Sequence, residues 1–337
     1  MKLKRLAAAL LASVMCLGLT ACGNGSTTST STGSGTAGAS DSSEPIVVGF
    51  SQVGAESDWR TANTESMKST FSEENGYKLI FDDAQQKQEN QITAIRNFIQ
   101  QDVDYIVLAP TGETGWDTVL QEAKNAGIPV IIVDRQVQVS DDSLYTAWVG
   151  SDFRAEGDKA VKWMEEQFAD KDQLNIVHIQ GTIGSSAQIG RTDALNEGVK
   201  NHSNWNLVAQ QSGEFTQAKG QEVMESVLKQ NSDIDVVYCE NDNEAFGAID
   251  AIEAAGKTVG KDGITVISFD TTRAGLNDVL AGKISLDVEC NPLHGPRVQE
   301  IIEKLEAGEE VDKTAYVDET QFDSETITQE MIDERAY

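Results

Sequence analysis

Five polar clusters in this chain each follow an apolar run: Ser51 to Arg60, Asp134-Arg135, Gly181 to Arg191, Glu240-Asn241-Asp242 and Asp270. They contain the carboxylates Glu56, Asp134 and Asp270, the guanidiniums Arg60, Arg135 and Arg191, the amide Asn241 and the indole Trp59. Carboxylates accept from hydroxyls, a guanidinium donates to ring and hydroxyl oxygens, and an aromatic face covers an apolar C–H patch. That set suits a neutral polyol such as a sugar. It suits catalysis poorly. His178, His202 and His294 are isolated, without His-x₃-His or cysteine spacing, so no zinc site is expected. Gly181-Thr182-Ile183-Gly184-Ser185 lacks the spacing of a nucleophile elbow. A glycosidase acid needs a raised pKa, and a neighbouring arginine lowers one. The expectation is a binding protein, not an enzyme, with no cofactor and no metal.

The elements that must hold these clusters alternate along the chain. Ile46–Phe50, Leu79–Phe81, Tyr105–Ala109, Pro129–Val133, Asn175–Gln180, Val236–Cys239 and Ile264–Phe269 are short apolar runs of the kind that form buried parallel strands. Helical periodicity lies between them, as in Ile92, Ile95, Ile99 and in Met224, Val227, Leu228. Gly127, with Pro129 two residues later, is a helix stop. Repeated strand–helix alternation predicts a doubly wound parallel α/β architecture, and about ten strands exceed one comfortable sheet. Two similar Rossmann-like lobes follow, with the break near Gly150-Ser151-Asp152. In such sheets ligands bind beyond the carboxyl ends of strands, where the polar clusters stand.

The 337 residues carry 55 acidic and 26 basic side chains, a net charge of −29. This excess argues against nucleic acid, which needs clustered Lys and Arg, and against adsorption to an anionic membrane face. Lys2, Lys4 and Arg5 followed by an apolar run from Leu6 to Leu19 predict a signal peptide over residues 1–21. Leu19-Thr20-Ala21-Cys22 resembles a bacterial lipobox, which implies a diacylglycerol on Cys22. Two acyl chains suffice for stable anchoring. Loss of the three basic residues takes the charge to −32 (−29 − 3) and leaves Cys239 and Cys290 in the body, too few for a disulfide framework. Residues 23 to 43 hold 17 Gly, Ser or Thr out of 21, so 22–44 is expected to be a lipidated cysteine and flexible leash. The Gly33-Ser34-Gly35-Thr36-Ala37-Gly38 match to a dinucleotide fingerprint has no strand before it and carries nothing.

Val48-Gly49-Phe50-Ser51-Gln52-Val53-Gly54, Trp59-Arg60, Gln85 to Gln91, Ala126-Gly127-Ile128-Pro129-Val130 with Asp134-Arg135, Glu240-Asn241-Asp242 and Ser268-Phe269-Asp270 resemble, in order and spacing, the type I periplasmic solute-binding proteins. The similarity is to the ribose-, galactose- and galactofuranose-binding group that feeds ABC sugar importers. The Ser51-to-Ser57 and Gln85-to-Asn90 runs look closest to the galactofuranose branch. The resemblance implies a ligand-binding set of Glu56, Trp59 and Arg60 from the first loop, with Trp59 as stacking platform. To these it adds Asp134 and Arg135 on ring hydroxyls, Arg191, Asn241 and Asp270 from the second lobe, and Phe215 as a second aromatic. It implies a three-segment hinge, with 45–150 plus 291–313 as N-terminal lobe and 151–290 plus 314–337 as C-terminal lobe. It further implies a monosaccharide ligand, an ABC permease as partner, a monomer, and placement outside the cytoplasmic membrane or in the periplasm, held by lipid. Ribose binders carry an amide where Ala109-Pro110 stands and paired phenylalanines where Trp59-Arg60 stands, which argues against ribose. The runner-up reading is a sugar-sensing ectodomain that docks to a membrane receptor without transport.

Overall fold

The computed structural model describes residues 44–337. The expected signal peptide, Cys22 and the Gly/Ser/Thr leash as far as residue 43 lie outside them. From Ile46 the chain runs β1 (Ile46–Gln52), α1 (Asp58–Thr70), β2 (Tyr77–Asp83), α2 (Gln88–Gln100), β3 (Tyr105–Leu108), α3 (Asp117–Ala126), β4 (Val130–Val133) and β5 (Ala147–Gly150). It then crosses to α4 (Phe153–Gln167), β6 (Leu174–Gln180), α5 (Ser186–Asn201), β7 (Trp205–Ser212), α6 (Gln217–Gln230), β8 (Val236–Cys239), α7 (Asp242–Ala254), β9 (Thr265–Asp270), α8 (Arg273–Leu280) and β10 (Leu286–Glu289). It closes with α9 (Gly295–Glu306), β11 (Thr314–Tyr316), β12 (Gln321–Asp323) and α10 (Gln329–Glu334).

These elements make two six-stranded sheets, ordered β11-β5-β4-β3-β1-β2 and β12-β10-β9-β8-β6-β7. Every pairing is parallel except the antiparallel β10–β12 edge. Apolar runs such as Val130–Val133 and Val236–Cys239 are buried at every position because helices cover both faces of a parallel sheet. Each sheet therefore has two cores. In the first lobe, Val48, Phe50, Met67 and Ile302 pack on one face and Phe98, Ile106, Trp116 and Trp148 on the other. Trp116 thus belongs to the packing, its indole N–H donating to the Gly112 carbonyl. In the second lobe, Val177, Met224 and Ile252 oppose Met164, Tyr238 and Phe269. Gly127 ends α3 in the left-handed conformation at φ 73°, as its helix-stop pattern predicts.

The chain passes between sheets three times, after β5, after β10 and after β11. The third crossing departs from the expected boundary at 313/314. Thr314–Tyr316 pairs in parallel with Trp148–Gly150 in the first sheet, and only β12 joins the second. Without β11, β5 would be an open edge. β7 and β10 carry polar residues that hide them as apolar runs: β7 is an edge strand, and β10 reads Leu-Asp-Val-Glu with Asp287 fully buried. Among the described residues no helix is long and apolar enough to cross a membrane.

Candidate functional site

β1 lies between β2 and β3, and β6 between β7 and β8, so each sheet has a topological switch point where consecutive loops diverge and leave a crevice. The two crevices face each other across one small cavity. Its wall comprises Glu56, Ser57, Trp59, Arg60, Asp134 and Arg135 from the first lobe. Phe153, Ala187, Arg191, Phe215, Asn241 and Asp270 from the second, with Cys290 at the crossing, complete it. All nine body residues singled out in the sequence stand in this wall. Phe153, Ser57, Ala187 and Cys290 were not foreseen.

Helix starts place several of these groups. Ser57 caps α1 by accepting from the Arg60 N–H, Asp152 caps α4 just before Phe153, and Asn241 caps α7 through the Glu244 N–H. Asn241, not the neighbouring Asp242, is thus the cap of α7. Asp242 instead accepts from the Ser268 hydroxyl at 2.6 Å and from the Thr272 N–H and hydroxyl at 2.9 and 2.6 Å. Asp134 (φ 63°), Phe215 (φ 61°) and Asp270 (φ 116°) are non-glycine residues at positive φ, which costs on the order of 1–3 kcal/mol each. Phe215 is clamped there. Its N–H donates to Glu244 Oε1 at 2.9 Å and its carbonyl accepts from Asn241 Nδ2 at 3.2 Å. Its ring tip rests on Gly181, where an added Cβ would sit 1.9 Å from Phe215 Cζ. Only glycine admits that approach.

The charges are interleaved. Arg60 donates from Nη2 to Asp134 Oδ2 at 2.7 Å, from Nε to Glu56 Oε1 at 3.0 Å and from Nη1 to Gln52 Oε1 at 3.3 Å. Arg135 lies 3.5 Å from Glu56 and 3.9 Å from Asp134, and donates to the Thr111 carbonyl at 2.9 Å. Across the cleft, Arg191 donates to Glu156 Oε2 at 2.7 Å and to the Glu240 carbonyl, and lies 3.9 Å from Asp270. Burial alone would raise the pKa of Asp134, but Arg60 and Arg135 outweigh it and hold the carboxylate below its usual range. Burial and the adjacent Arg60 push the Arg135 guanidinium down to about 10, against the pull of Glu56 and Asp134. At Asp270 burial wins over Arg191 and drives the pKa well up, toward the neutral acid. The expectation that arginine would lower every cleft carboxylate therefore holds for Asp134 and fails for Asp270, whose arginine is too distant to offset desolvation. The guanidiniums of Arg60, Arg135 and Arg191 face the carboxyl groups of Glu56, Asp134, Glu156 and Asp270, so opposite charges are interleaved and none is gathered to attract an ion. Donors and acceptors alternate around it, the complement of hydroxyl groups that do both.

Aromatic surface completes the wall. Trp59, Phe153, Phe215, Ala187 and Cys290 form one apolar cluster drawn from both lobes. The Trp59 indole N–H donates to the Cys290 carbonyl at 2.6 Å, and the Arg60 guanidinium lies over its ring at 4.6 Å. Arg135 lies over the Phe215 ring at 5.2 Å and Arg191 over Phe153 at 5.5 Å. The guanidiniums and rings brace each other. The cleft is shut. Asp58 N–H donates to Asn243 Oδ1 at 3.0 Å, Gln136 N–H to Ser186 Oγ at 2.8 Å and Glu113 N–H to the Gly184 carbonyl at 3.1 Å, all from lobe to lobe.

Polar residues beside the wall serve the scaffold. Glu240 accepts from the Gly181 N–H at 2.7 Å and from the Thr192 hydroxyl at 2.6 Å, and pairs with His178 at 2.9 Å. Glu289 binds Arg335 of the C-terminal tail at 2.6 Å. Cys239 and Cys290 are both free and buried, so no disulfide joins them.

Residues 48–289 match the family model described as periplasmic binding protein domain. The chain is 40% identical over 291 residues to the galactofuranose-binding protein YtfQ of Escherichia coli, covering 85% of this chain and 91% of that protein. A solved structure from Mycobacterium smegmatis in complex with β-D-fucofuranose superposes with a TM-score of 0.80 at 47% identity, covering 83% of this chain and 92% of the other. The periplasmic binding protein component of the arabinose ABC transporter from Shewanella sp. ANA-3, bound to α- and β-L-arabinofuranose, superposes at 0.78 with 43% identity and the same coverages. Two facing parallel α/β lobes, a polar cavity shut between them and similarity over most of the length agree: the chain belongs to the periplasmic binding protein family, among the sugar-binding components of ABC importers.

Proposed function

We propose that this protein captures one monosaccharide in its furanose form between the lobes and delivers it to an ABC importer, without altering it chemically. The observation that carries the reading is the wall itself. Nine sequence-selected residues from both lobes converge on one enclosed cavity with alternating donors and acceptors and three aromatic rings. The three relatives above are named for, or bound to, galactofuranose, fucofuranose and arabinofuranose, which share the five-membered ring. A ligand touching both lobes stabilises the shut form by its differential affinity, and only that form presents both lobes together to a transporter. The nine wall residues Glu56, Trp59, Arg60, Asp134, Arg135, Arg191, Phe215, Asn241 and Asp270 are the proposed sugar contacts. The protein acts as a monomer held by lipid on Cys22 at the outer face of the cytoplasmic membrane.

A thermal-shift and calorimetry panel of methyl β-D-galactofuranoside, L-arabinose, D-fucose, D-ribose and the methyl pyranosides tests the ring form. A ligand at 100 times its Kd adds about 2.7 kcal/mol of stability, well within reach of a melt. Binding of pyranosides as tightly as the furanoside would refute furanose selection. Globomycin-sensitive processing and loss of membrane retention in Cys22→Ser test the anchor.

A further inference from the structure

The three crossings between lobes converge on a second cluster that shares Cys290 with the wall of the sugar cavity. Glu156, in the first turn of α4 after the first crossing, Cys290 in the second crossing and Glu319 in the third each place one ligand atom within 4.8 Å of the other two. The residues are 134 and 29 positions apart in sequence, so no spacing motif could announce them. Glu156 is 1% exposed. Its Oε2 is taken by Arg191, and its buried carboxyl has, besides that, only the Cys290 thiol beside it. Glu319 Oε1 is oriented by the Ser151 hydroxyl at 2.6 Å and the Asn291 N–H at 2.7 Å. The free thiol of Cys290 stands 3.4 Å from the same Ser151 hydroxyl.

From this geometry we infer that Glu156, Cys290 and Glu319 form a binding site for a divalent transition-metal ion of the zinc class, set at the hinge. A thiolate with two carboxylates selects such ions over magnesium or calcium, which take oxygen alone. Tetrahedral bonds of about 2.0–2.3 Å put ligand atoms roughly 3.4–3.7 Å apart, so each pair of ligand atoms closes by about 1.4 Å at most. The groups that orient the ligands are present: Arg191 on Glu156, and Ser151 with the Asn291 N–H on Glu319. The cations facing the cluster are Arg191, already shared with Glu156, and Lys159, whose Nζ is spent on the Glu319 carbonyl at 2.7 Å. Asp270 adds further negative charge nearby when ionised. A buried site so short of positive charge is filled by protons or by a metal ion. Binding releases the Cys290 thiol proton and any carboxyl proton to solvent as metal–ligand bonds form, with no electron transferred. Glu319, partly exposed, gives the ion its way in from solvent. Cys290 also lines the sugar cavity and Glu156 holds Arg191, so the site adjoins the proposed sugar contacts, and metal binding is read without sugar.

The test is titration of the chelator-treated full chain with Co²⁺, then competition by Zn²⁺. The expected result is one equivalent bound, with a thiolate-to-cobalt charge-transfer band in the near ultraviolet that Zn²⁺ abolishes. Cys290→Ser removes the band, and Glu319→Gln, which keeps the thiol, weakens binding at least tenfold. Melting curves without metal show whether each variant is folded; should Cys290→Ser not fold, Glu156→Gln joins Glu319→Gln as the readout. Absence of the band in the wild type, a band that survives Cys290→Ser, or Glu319→Gln binding within twofold of wild type overturns the site.

Discussion

Replacing Asp134 by alanine isolates the charge arrangement of the wall. Asp134 and Glu56 together neutralise Arg60 and Arg135, with Asp134 at 2.7 Å from the first and 3.9 Å from the second. At an effective dielectric constant near 20, these two attractions are worth roughly 6 and 4 kcal/mol. Against that gross gain stands the several kcal/mol needed to strip water from a carboxylate, so the net figure is far smaller. Removing the carboxylate leaves two guanidiniums on Glu56 alone, one of them uncompensated in a buried site. Breaking one partner out of such a set costs about 3–5 kcal/mol of folding stability. The sugar loses its acceptor as well, and truncating a buried charged partner at an interface costs about 2–5 kcal/mol. That corresponds to roughly 30-fold to several-thousand-fold weaker binding. Calorimetric titration with the furanoside, alongside melts of the unliganded protein, measures both. Asp134→Asn, which retains an acceptor toward Arg60, should lose less stability than the alanine variant. Sugar affinity unchanged within twofold in Asp134→Ala would show that the carboxylate does not face the ligand, and the site assignment would fall.

Gly181→Ala should weaken sugar binding about fivefold or more, because its Cβ would collide with the Phe215 ring and overpacking of this kind costs about 1–3 kcal/mol; wild-type affinity would show the ring is free to yield. Asn243→Ala removes an interlobe hydrogen bond that touches no wall residue, so a loss of about 1 kcal/mol should appear as roughly fivefold weaker affinity, with the melt of the sugar-free open form little changed. His294 has a pKa of 6.5 when free and about 4 here, chiefly because burial opposes its charge. Between those values the unfolded chain binds one more proton than the folded one, so stability falls as pH drops from 6.5 to 4, by about 3 kcal/mol in all. The difference in melting temperature between wild type and His294→Gln, followed across that window, should shrink as the pH falls; a constant difference would mean that His294 does not titrate there.

The strand-end rule made the polar wall readable, because carboxylates and arginines after buried apolar runs have few other reasons to stand there. The same rule passes over Phe153 and Cys290, which follow β5 and β10 just as closely but carry no charge to mark them. It also could not show that Asp134, Phe215 and Asp270 adopt positive φ, since that depends on clamps such as Glu244 and Asn241 that fold in from another helix. Glu156 was invisible for a related reason: only the packing of α4 on α5 brings it to Arg191. The raised pKa of Asp270 turns on burial and on a distance to Arg191 that no sequence spacing records. The third crossing was misplaced by a few residues because β11 spans three residues, Thr314–Tyr316, with no apolar run to announce it.

That short strand bears on the order in which the molecule can be finished. The first lobe begins at Ile46, yet it lacks a helix against α1 and a neighbour for β5 until α9 and β11, residues 295 to 316, have been made. The second lobe, apart from its β12 edge and α10, is contiguous and is synthesised before the first can close. A chain emerging from the ribosome therefore holds its N-terminal half incomplete for most of its synthesis. A polypeptide threaded through a narrow membrane pore must remain unfolded until it has passed, and here the wiring itself postpones the first domain until nearly the last residue.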